Sequence, residues 1–140
     1  MASPQHKLRV LIVEDDPAVM AGMAAALDDK MHVDTCESAE MALTKATHIS
    51  YDVVCADIGL PKMNGIELLE HLAQRAAPPR CLLVTGSEDF YRISKGRGYH
   101  VLKKPFVPAR LLAIVEHLAS LSFMRRSVEM LGAGTNTGKK

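Results

Sequence analysis

The feature that most constrains the fold of this chain is a repeated alternation of two hydrophobic patterns. Short β-branched runs, typical of buried strands, alternate with longer stretches whose apolar residues recur at helical spacing. The strand-like runs cover 8–13, 31–36, 51–56, 80–84 and 100–102. This order predicts an α/β fold, with a doubly wound, five-stranded parallel sheet and helices on both faces. A chain of 140 residues is long enough for one such domain with a sizeable core.

The stretches between the strands predict five helices. They cover 17–30, 38–46, 65–76, 87–98 and 108–131. Proline opens the first and last of these, and Ser38 is a plausible N-cap for the second. The third helix has an apolar face formed by Ile66, Leu69, Leu72 and Ala73. We expect the prolines at 78 and 79 to end that helix.

Composition argues against several classes of protein. The formal net charge of +1 is unlike that of a dedicated nucleic-acid-binding protein. No apolar run approaches the ~20 residues that span a bilayer, and the first residues lack the apolar segment of a signal peptide. Cys36, Cys55 and Cys81 form no CxxC pair, which favours buried free thiols over a zinc site. We therefore expect a cytoplasmic protein that binds neither nucleic acid nor membrane directly.

Chemically active side chains follow four of the five predicted strands. They are Glu14, Asp15 and Asp16 after the first strand, Asp57 after the third, Thr85 after the fourth and Lys104 after the fifth. Right-handed crossovers place the loops after parallel strands at one edge of the sheet, where ligands bind in such folds. The sequence therefore predicts that these side chains converge.

A set of this kind suits magnesium-dependent phosphoryl chemistry. Several carboxylates in one crevice are costly unless a cation neutralises them, and Mg²⁺ prefers oxygen ligands. A metal-bound carboxylate at Asp57 is a usable nucleophile toward a phosphoryl group. The Lys104 ammonium and the Thr85 hydroxyl could then stabilise the charge on the transferred oxygens.

Four motifs give the chain a family resemblance. They are LIVEDDP at 11–17, DIGLPKMNG at 57–65, VTG at 84–86 and KKPF at 103–106. In this order the sequence resembles the receiver domain of bacterial two-component response regulators, which implies a flavodoxin-like (βα)5 fold. The resemblance covers residues 7–122. Residues 123–140 are expected to extend the last helix and to end in a disordered tail, because 132–140 are small and polar.

The resemblance implies a role for each matching residue. Asp57 matches the phosphoacceptor, Thr85 the switch hydroxyl, and Lys104 the phosphate-binding lysine that precedes a cis bond to proline. For the metal, it implies direct binding by Asp15 and Asp57, binding by Glu14 through water, and a backbone carbonyl ligand from Gly59. The expected ion is Mg²⁺, with Mn²⁺ as a substitute.

Two positions near the ends of the matching segment set this sequence apart. Asp16 falls one place beyond the family's acid pair, so compensation of a helix dipole is its expected role. Many receivers carry an aromatic residue at the position of Val101, and Tyr99 lies two residues before it. Whether Tyr99 takes the aromatic role is left open by the sequence.

The resemblance also implies partners. A histidine kinase or a histidine phosphotransfer protein would supply the phosphoryl group. Output would pass to an unknown protein or to a fused domain absent from this chain, and the segments around VTG, KPF and PARL resemble receivers fused to hybrid histidine kinases. A homodimer through the fourth helix, fifth strand and fifth helix is a further expectation. The chain is not expected to be a turnover enzyme.

Two other function classes remain as alternatives. A phosphohydrolase of the haloacid-dehalogenase type also uses an aspartate with Mg²⁺, but it needs a second acid where this chain has Gly59. A docking domain that works without phosphorylation would not need the intact set of Asp15, Asp57, Thr85 and Lys104. Both alternatives are therefore less favoured than a phosphorylated switch.

Overall fold

Strands and helices alternate strictly in the computed structural model, which describes residues 7–121. The strands are β1 (Arg9–Val13), β2 (His32–Cys36), β3 (Val53–Asp57), β4 (Arg80–Thr85) and β5 (Val101–Lys103). The helices are α1 (Pro17–Leu27), α2 (Ala39–His48), α3 (Gly65–Ala73), α4 (Glu88–Gly96) and α5 (108–121). The predicted α/β class is confirmed, whereas the extension and tail predicted over 123–140 lie outside the described residues. Within 7–121, no helix combines the length and hydropathy that a membrane crossing requires.

The five strands form one parallel sheet in the order β2-β1-β3-β4-β5. The chain runs from β1 to one side for β2 and then returns to the other side for the remaining strands. This reversal makes the sheet doubly wound, as predicted, and gives the flavodoxin-like order. The crevice outside the carboxyl ends of β1 and β3 lies at the reversal, where folds of this kind bind ligands.

The core lies on both faces of the sheet because successive strand residues point to opposite sides. Val10 and Ile12 pack in a cluster with α1 and α5. Leu11 and Val13 pack in a second cluster with α2 and α3. A strand buried on both faces needs an unbroken apolar run, which is why β1 is so clear in the sequence.

Helix α4 is the least anchored of the helices. Its only buried side chain is that of Ser94, and none of its residues joins a core cluster in the part of the chain that the structure describes. Phe90 and Ile93 are 49% and 48% exposed. Polar contacts hold the start of the helix instead: Ser87 caps it, and Glu88 forms an ion pair with Lys103 of β5.

The predicted bounds of α1 and α3 were too long. Helix α1 ends at Leu27 instead of residue 30, because a turn over 28–30 brings Met31 into the core. Helix α3 ends at Ala73, where the Gln74 N–H turns back to the carbonyls of His71 and Leu72. The prolines at 78 and 79 therefore do not end it. Its buried side chains also differ from the prediction: they are Leu68, Leu69 and Leu72, while Ile66 is half-buried and Ala73 is exposed.

Candidate functional site

Three carboxylates meet at the carboxyl ends of β1 and β3. Glu14 and Asp15 directly follow β1, and Asp57 is the last residue of β3. One carboxylate oxygen from each of the three lies within 4.8 Å of the others. The predicted convergence of these acids is thus observed, at the point where the strand order reverses.

Lys104 brings a positive charge into this acid cluster from the loop after β5. Its Nζ donates a hydrogen bond to Glu14 Oε1 at 3.0 Å and lies 3.7 Å from Asp57 Oδ1. The Lys104–Pro105 bond is cis, as the resemblance implied. Three carboxylates against one ammonium leave two negative charges without compensation in the cluster.

Glu14 shows how burial and charge compete at this site. Its side chain is only 1% exposed, and this burial raises the pKa of the carboxyl above its usual range. The hydrogen bonds from Lys104 and from the Asp16 N–H lower the pKa, while the charge of Asp57 raises it. Because burial affects the pKa more than the hydrogen bonds do, the charged carboxylate form of Glu14 is less stable here than it is in water.

The residues present fit a divalent cation. The donor set is carboxylate oxygen, which suits Mg²⁺ and Mn²⁺ better than softer metals. A cation of charge +2 would also offset the two uncompensated negative charges of the cluster. The chemistry of the donors and the charge balance therefore point to the same class of ion.

Asp16 lies outside the cluster and has a separate task. Its Oδ1 accepts hydrogen bonds from the backbone N–H groups of Ala18 at 2.9 Å and Val19 at 3.3 Å. This is the geometry of an N-cap for α1. Asp16 therefore serves the start of α1 through direct hydrogen bonds to backbone N–H groups, whereas the predicted dipole compensation stays a prediction.

The loop after β3, residues 58–64, is shaped closely around Asp57. The Gly59 N–H donates to Asp57 Oδ1 at 3.3 Å, and the Gly65 N–H donates to the Ile58 carbonyl at 3.1 Å. Asn64 and Glu67 close the loop with a reciprocal capping box at the start of α3. Gly59 is exposed and lies beside the cluster, where its carbonyl was predicted to contribute.

Thr85 lies at the end of β4, next to the loop that carries Lys104. The side chain is buried, at 4% exposure, and its Oγ1 accepts a hydrogen bond from the Ser87 N–H at 3.0 Å. The Lys104 N–H donates to the Thr85 carbonyl at 2.8 Å. The Thr85 hydroxyl is therefore engaged by the start of α4 in this structure.

Tyr99 and Val101 lie on the same side of the sheet. Both are partly buried and pack against a small cluster of Ile58, Leu69 and Leu83. Tyr99 therefore packs against the same cluster as Val101, and the side chain at the position of the family's aromatic residue is aliphatic.

Sequence reasoning missed three contacts around the site. Lys103 of β5 forms an ion pair with Glu88 at the start of α4. Glu40 of α2 accepts a hydrogen bond from the Met63 N–H of the loop 58–64. The capping box of Asn64 and Glu67 was also missed, although its N-x-x-E spacing could have revealed it.

Comparison with known proteins gives a consistent set of matches. The family model described as "Response regulator receiver domain" matches residues 10–116. The KDP operon transcriptional regulatory protein KdpE of Escherichia coli is 34% identical over 119 residues, covering 79% of this chain and 53% of that protein. The signal transduction histidine-protein kinase BarA of Escherichia coli is 34% identical over 68 residues, covering 48% of this chain and 7% of that protein.

A solved structure gives the same result. The response regulator receiver domain protein (CheY-like) from Methanospirillum hungatei has a TM-score of 0.76 and 27% identity, covering 86% of this chain and 99% of that one. The chain spans about half the length of curated relatives such as KdpE and VanRB.

Proposed function

This chain belongs to the family of two-component response regulator receiver domains, and we propose that Asp57 is the residue that accepts its phosphoryl group. One observation carries the proposal: the carboxylate of Asp57 lies in one cluster with those of Glu14 and Asp15, beside the Lys104 ammonium. The Asp57 side chain is 13% exposed, so it is fixed by its surroundings and still reachable from solvent.

The proposed reaction joins Asp57 to a phosphoryl group carried by a histidine. An Asp57 carboxylate oxygen forms the new P–O bond as the P–N bond to the donor imidazole breaks, and the released imidazole takes a proton from water. Lys104 compensates negative charge on the transferred oxygens from its place beside Asp57. The Thr85 hydroxyl leaves the Ser87 N–H and donates to a phosphoryl oxygen, which moves the start of α4.

The proposed metal ligands follow the acid cluster. Asp15 and Asp57 would bind Mg²⁺ directly, Glu14 would bind it through water, and Gly59 would add its backbone carbonyl. When bound, the ion supplies positive charge that draws electron density from the transferred phosphoryl oxygens. Mn²⁺ would bind to the same ligands.

We further propose that the chain works as a switch and has no substrate turnover of its own. The phosphoryl donor is a histidine kinase or a histidine phosphotransfer protein. The apolar side chains of Phe90 and Ile93 on α4 and of Val107, just before α5, are exposed by 49%, 48% and 64%. They support the proposed contact surface along α4, β5 and α5 at its two helices. Output then passes to a protein partner, to a second copy of the chain or to a fused domain. A fused histidine kinase is one such domain, because a segment of the histidine-protein kinase BarA matches this chain.

Two features support the proposals that the protein is cytoplasmic and that it acts through protein contacts. The three thiols of Cys36, Cys55 and Cys81 are all unpaired, which suits the reducing cytoplasm. The net charge of +1 supports action through protein contacts in place of direct binding to nucleic acid or membrane.

The test is intact-mass spectrometry after incubation with acetyl phosphate, with and without Mg²⁺. The native chain should gain the mass of one phosphoryl group only when Mg²⁺ is present, and Asp57→Asn should gain none. Asp16→Asn is the matched control, because asparagine caps a helix as well as aspartate does and Asp16 lies outside the cluster. It should be phosphorylated like the native chain.

A negative result leads to a second measurement. If the folded native chain gains no mass, beryllofluoride binding is followed by amide NMR shifts in the presence of Mg²⁺. Binding that Asp57→Asn abolishes supports the proposal and assigns the first result to donor choice or rapid hydrolysis. Absence of both the adduct and beryllofluoride binding overturns it.

A further inference from the structure

The loop 58–64 faces the start of α2 across a cleft of about 360 Å³ whose lining includes Asp15, Glu37, Glu40 and Lys62. One hydrogen bond spans this cleft: the Met63 N–H donates to Glu40 Oε2 at 3.3 Å. Side chains of β3 and α3 also form hydrogen bonds with the loop. Within residues 7–121, Glu40 is the only residue outside those two elements whose side chain does so. The loop therefore depends on α2 for one specific contact.

The middle of the loop is where this contact matters. The first part is anchored by Leu60, which is 4% exposed, and the last part by the capping box of Asn64 and Glu67. Between them, Lys62 has a φ of 64°, in the left-handed region that costs free energy for any residue with a Cβ. Such a conformation persists only where its neighbours hold it, and Met63 is the next residue along the chain.

We propose that Glu40 is a positioning residue for the phosphoacceptor site. By holding the Met63 N–H, it keeps Lys62 in its left-handed conformation and fixes the path of the loop that carries Gly59. The inference rests on the proposed function of Asp57, because the Gly59 carbonyl and the Asp57 carboxylate are the groups whose placement it controls. Glu40 itself belongs to neither the proposed metal ligands nor the phosphate-binding groups.

A simpler account assigns Glu40 to its own helix. A carboxylate in the first turn stabilises a helix through the dipole, whatever it contacts, so loss of stability alone does not separate the two accounts. Charge and hydrogen bonding can be separated by substitution. Glu40→Gln keeps an oxygen that accepts the Met63 N–H and loses the charge, whereas Glu40→Asp keeps the charge and shortens the reach.

Glu37 offers the matched control. It lines the same cleft, its side chain carries the same charge, and among the described residues it makes no hydrogen bond to the loop. Glu37→Gln therefore removes one charge near Asp15 without disturbing Met63. The inference predicts that Glu40→Gln and Glu37→Gln behave alike, and that Glu40→Ala and Glu40→Asp are both more impaired.

The experiment uses amide NMR, since the chain has no tryptophan for a fluorescence assay. Hydrogen exchange of the Met63 amide is measured for each variant, and Mg²⁺ binding is followed through the Gly59 amide. Glu40→Ala and Glu40→Asp should speed Met63 exchange and weaken Mg²⁺ binding by about threefold to tenfold relative to Glu40→Gln. The rate of phosphorylation by acetyl phosphate should fall in the same order.

The outcomes separate this inference from the proposed function. If the native chain neither accepts a phosphoryl group nor binds beryllofluoride, the proposed function fails, and Met63 exchange with Mg²⁺ binding still decides the role of Glu40. If Glu40→Ala matches Glu40→Gln in both measurements, charge explains the effect and the inference is overturned. Unchanged Met63 exchange in Glu40→Asp would overturn it as well.

Discussion

At the scale of single residues, the site depends on how closely α3 approaches the end of β3. A Cβ on Gly65 would lie 2.5 Å from the Asp57 carbonyl oxygen and 3.0 Å from Ile58 Cα. Both are backbone atoms, so no side-chain rotation can relieve the contact. Gly65 is thus required by its neighbours, and its N–H bond to the Ile58 carbonyl keeps them close.

We therefore expect Gly65→Ala to damage both stability and phosphorylation. The free energy of unfolding should fall by about 1–3 kcal/mol, as for other overpacked positions, and Asp57 should be displaced with the strand end. Urea unfolding and the acetyl phosphate assay measure the two effects. Gly22→Ala in α1 is the control, because nothing lies within 4 Å of the Cβ that it would add. Equal behaviour of the two variants would contradict the steric account.

The sequence predicted the charged residues that converge at the strand ends. It did not predict the contact of Glu40 with the loop 58–64 across the cleft. Glu14 and Lys104 lie far apart along the chain, yet each directly follows a strand, and the strand ends share an edge. Glu40 reaches a backbone N–H in another segment, and a single long-range hydrogen bond of this kind leaves no pattern in the sequence. The ion pair of Lys103 with Glu88 was not predicted either, because it depends on where α4 begins.

At the scale of elements, α4 carries an internal conflict. Ser94 is fully buried, and its Oγ has no hydrogen-bond partner in the described structure, so the hydroxyl is desolvated without compensation. Ser87 has the opposite situation, because its side chain accepts from the Phe90 N–H and caps the helix. A serine side chain therefore destabilises the packing of α4 at position 94 and stabilises the start of the helix at position 87.

The two serines should respond in opposite directions to the same substitution. Ser94→Ala should raise the free energy of unfolding by about 1 kcal/mol, because it removes an unpaired buried hydroxyl. Ser87→Ala should lower it by about 1 kcal/mol through loss of the cap. Thermal and urea unfolding of both variants measure the difference. A loss of stability in Ser94→Ala would show that the hydroxyl has a partner.

Element order was predictable, and element ends were less so. The apolar runs of the strands and the helical spacing between them are local patterns, which is why all five strands and five helices were found. The ends of α1 and α3 depend on tertiary contacts instead. Met31, which follows α1, packs in the core, and the chain after Ala73 turns toward the start of β4.

At the scale of the whole molecule, the three thiols report on the integrity of the fold. Burial raises the pKa of Cys36 to about 11 and those of Cys55 and Cys81 to about 12. Each thiol is therefore almost wholly protonated at pH 8, and the thiolate is the form that reacts. Cys81 is only partly buried by its surroundings, yet its raised pKa protects it too.

We expect slow alkylation of the native chain by iodoacetamide at pH 8 and rapid alkylation of all three cysteines in urea. Cys55 is fully buried, so its rate of modification should follow the population of unfolded chains. Mass spectrometry of digested samples measures each site. Modification of Cys55 in the native chain at the rate of a free thiol would contradict the burial described above.

The pairing of Glu14 with Lys104 has a consequence for the timing of synthesis. A ribosome makes the first strand early and the fifth strand, which lies at the edge of the sheet, late. A nascent chain that ends before Lys104 holds its three carboxylates without their ammonium. If Asp57 is the phosphoacceptor, as proposed above, such a chain lacks the positive charge that compensates the transferred oxygens. We therefore expect partly made molecules and truncated fragments to accept phosphoryl groups far more slowly than the finished domain.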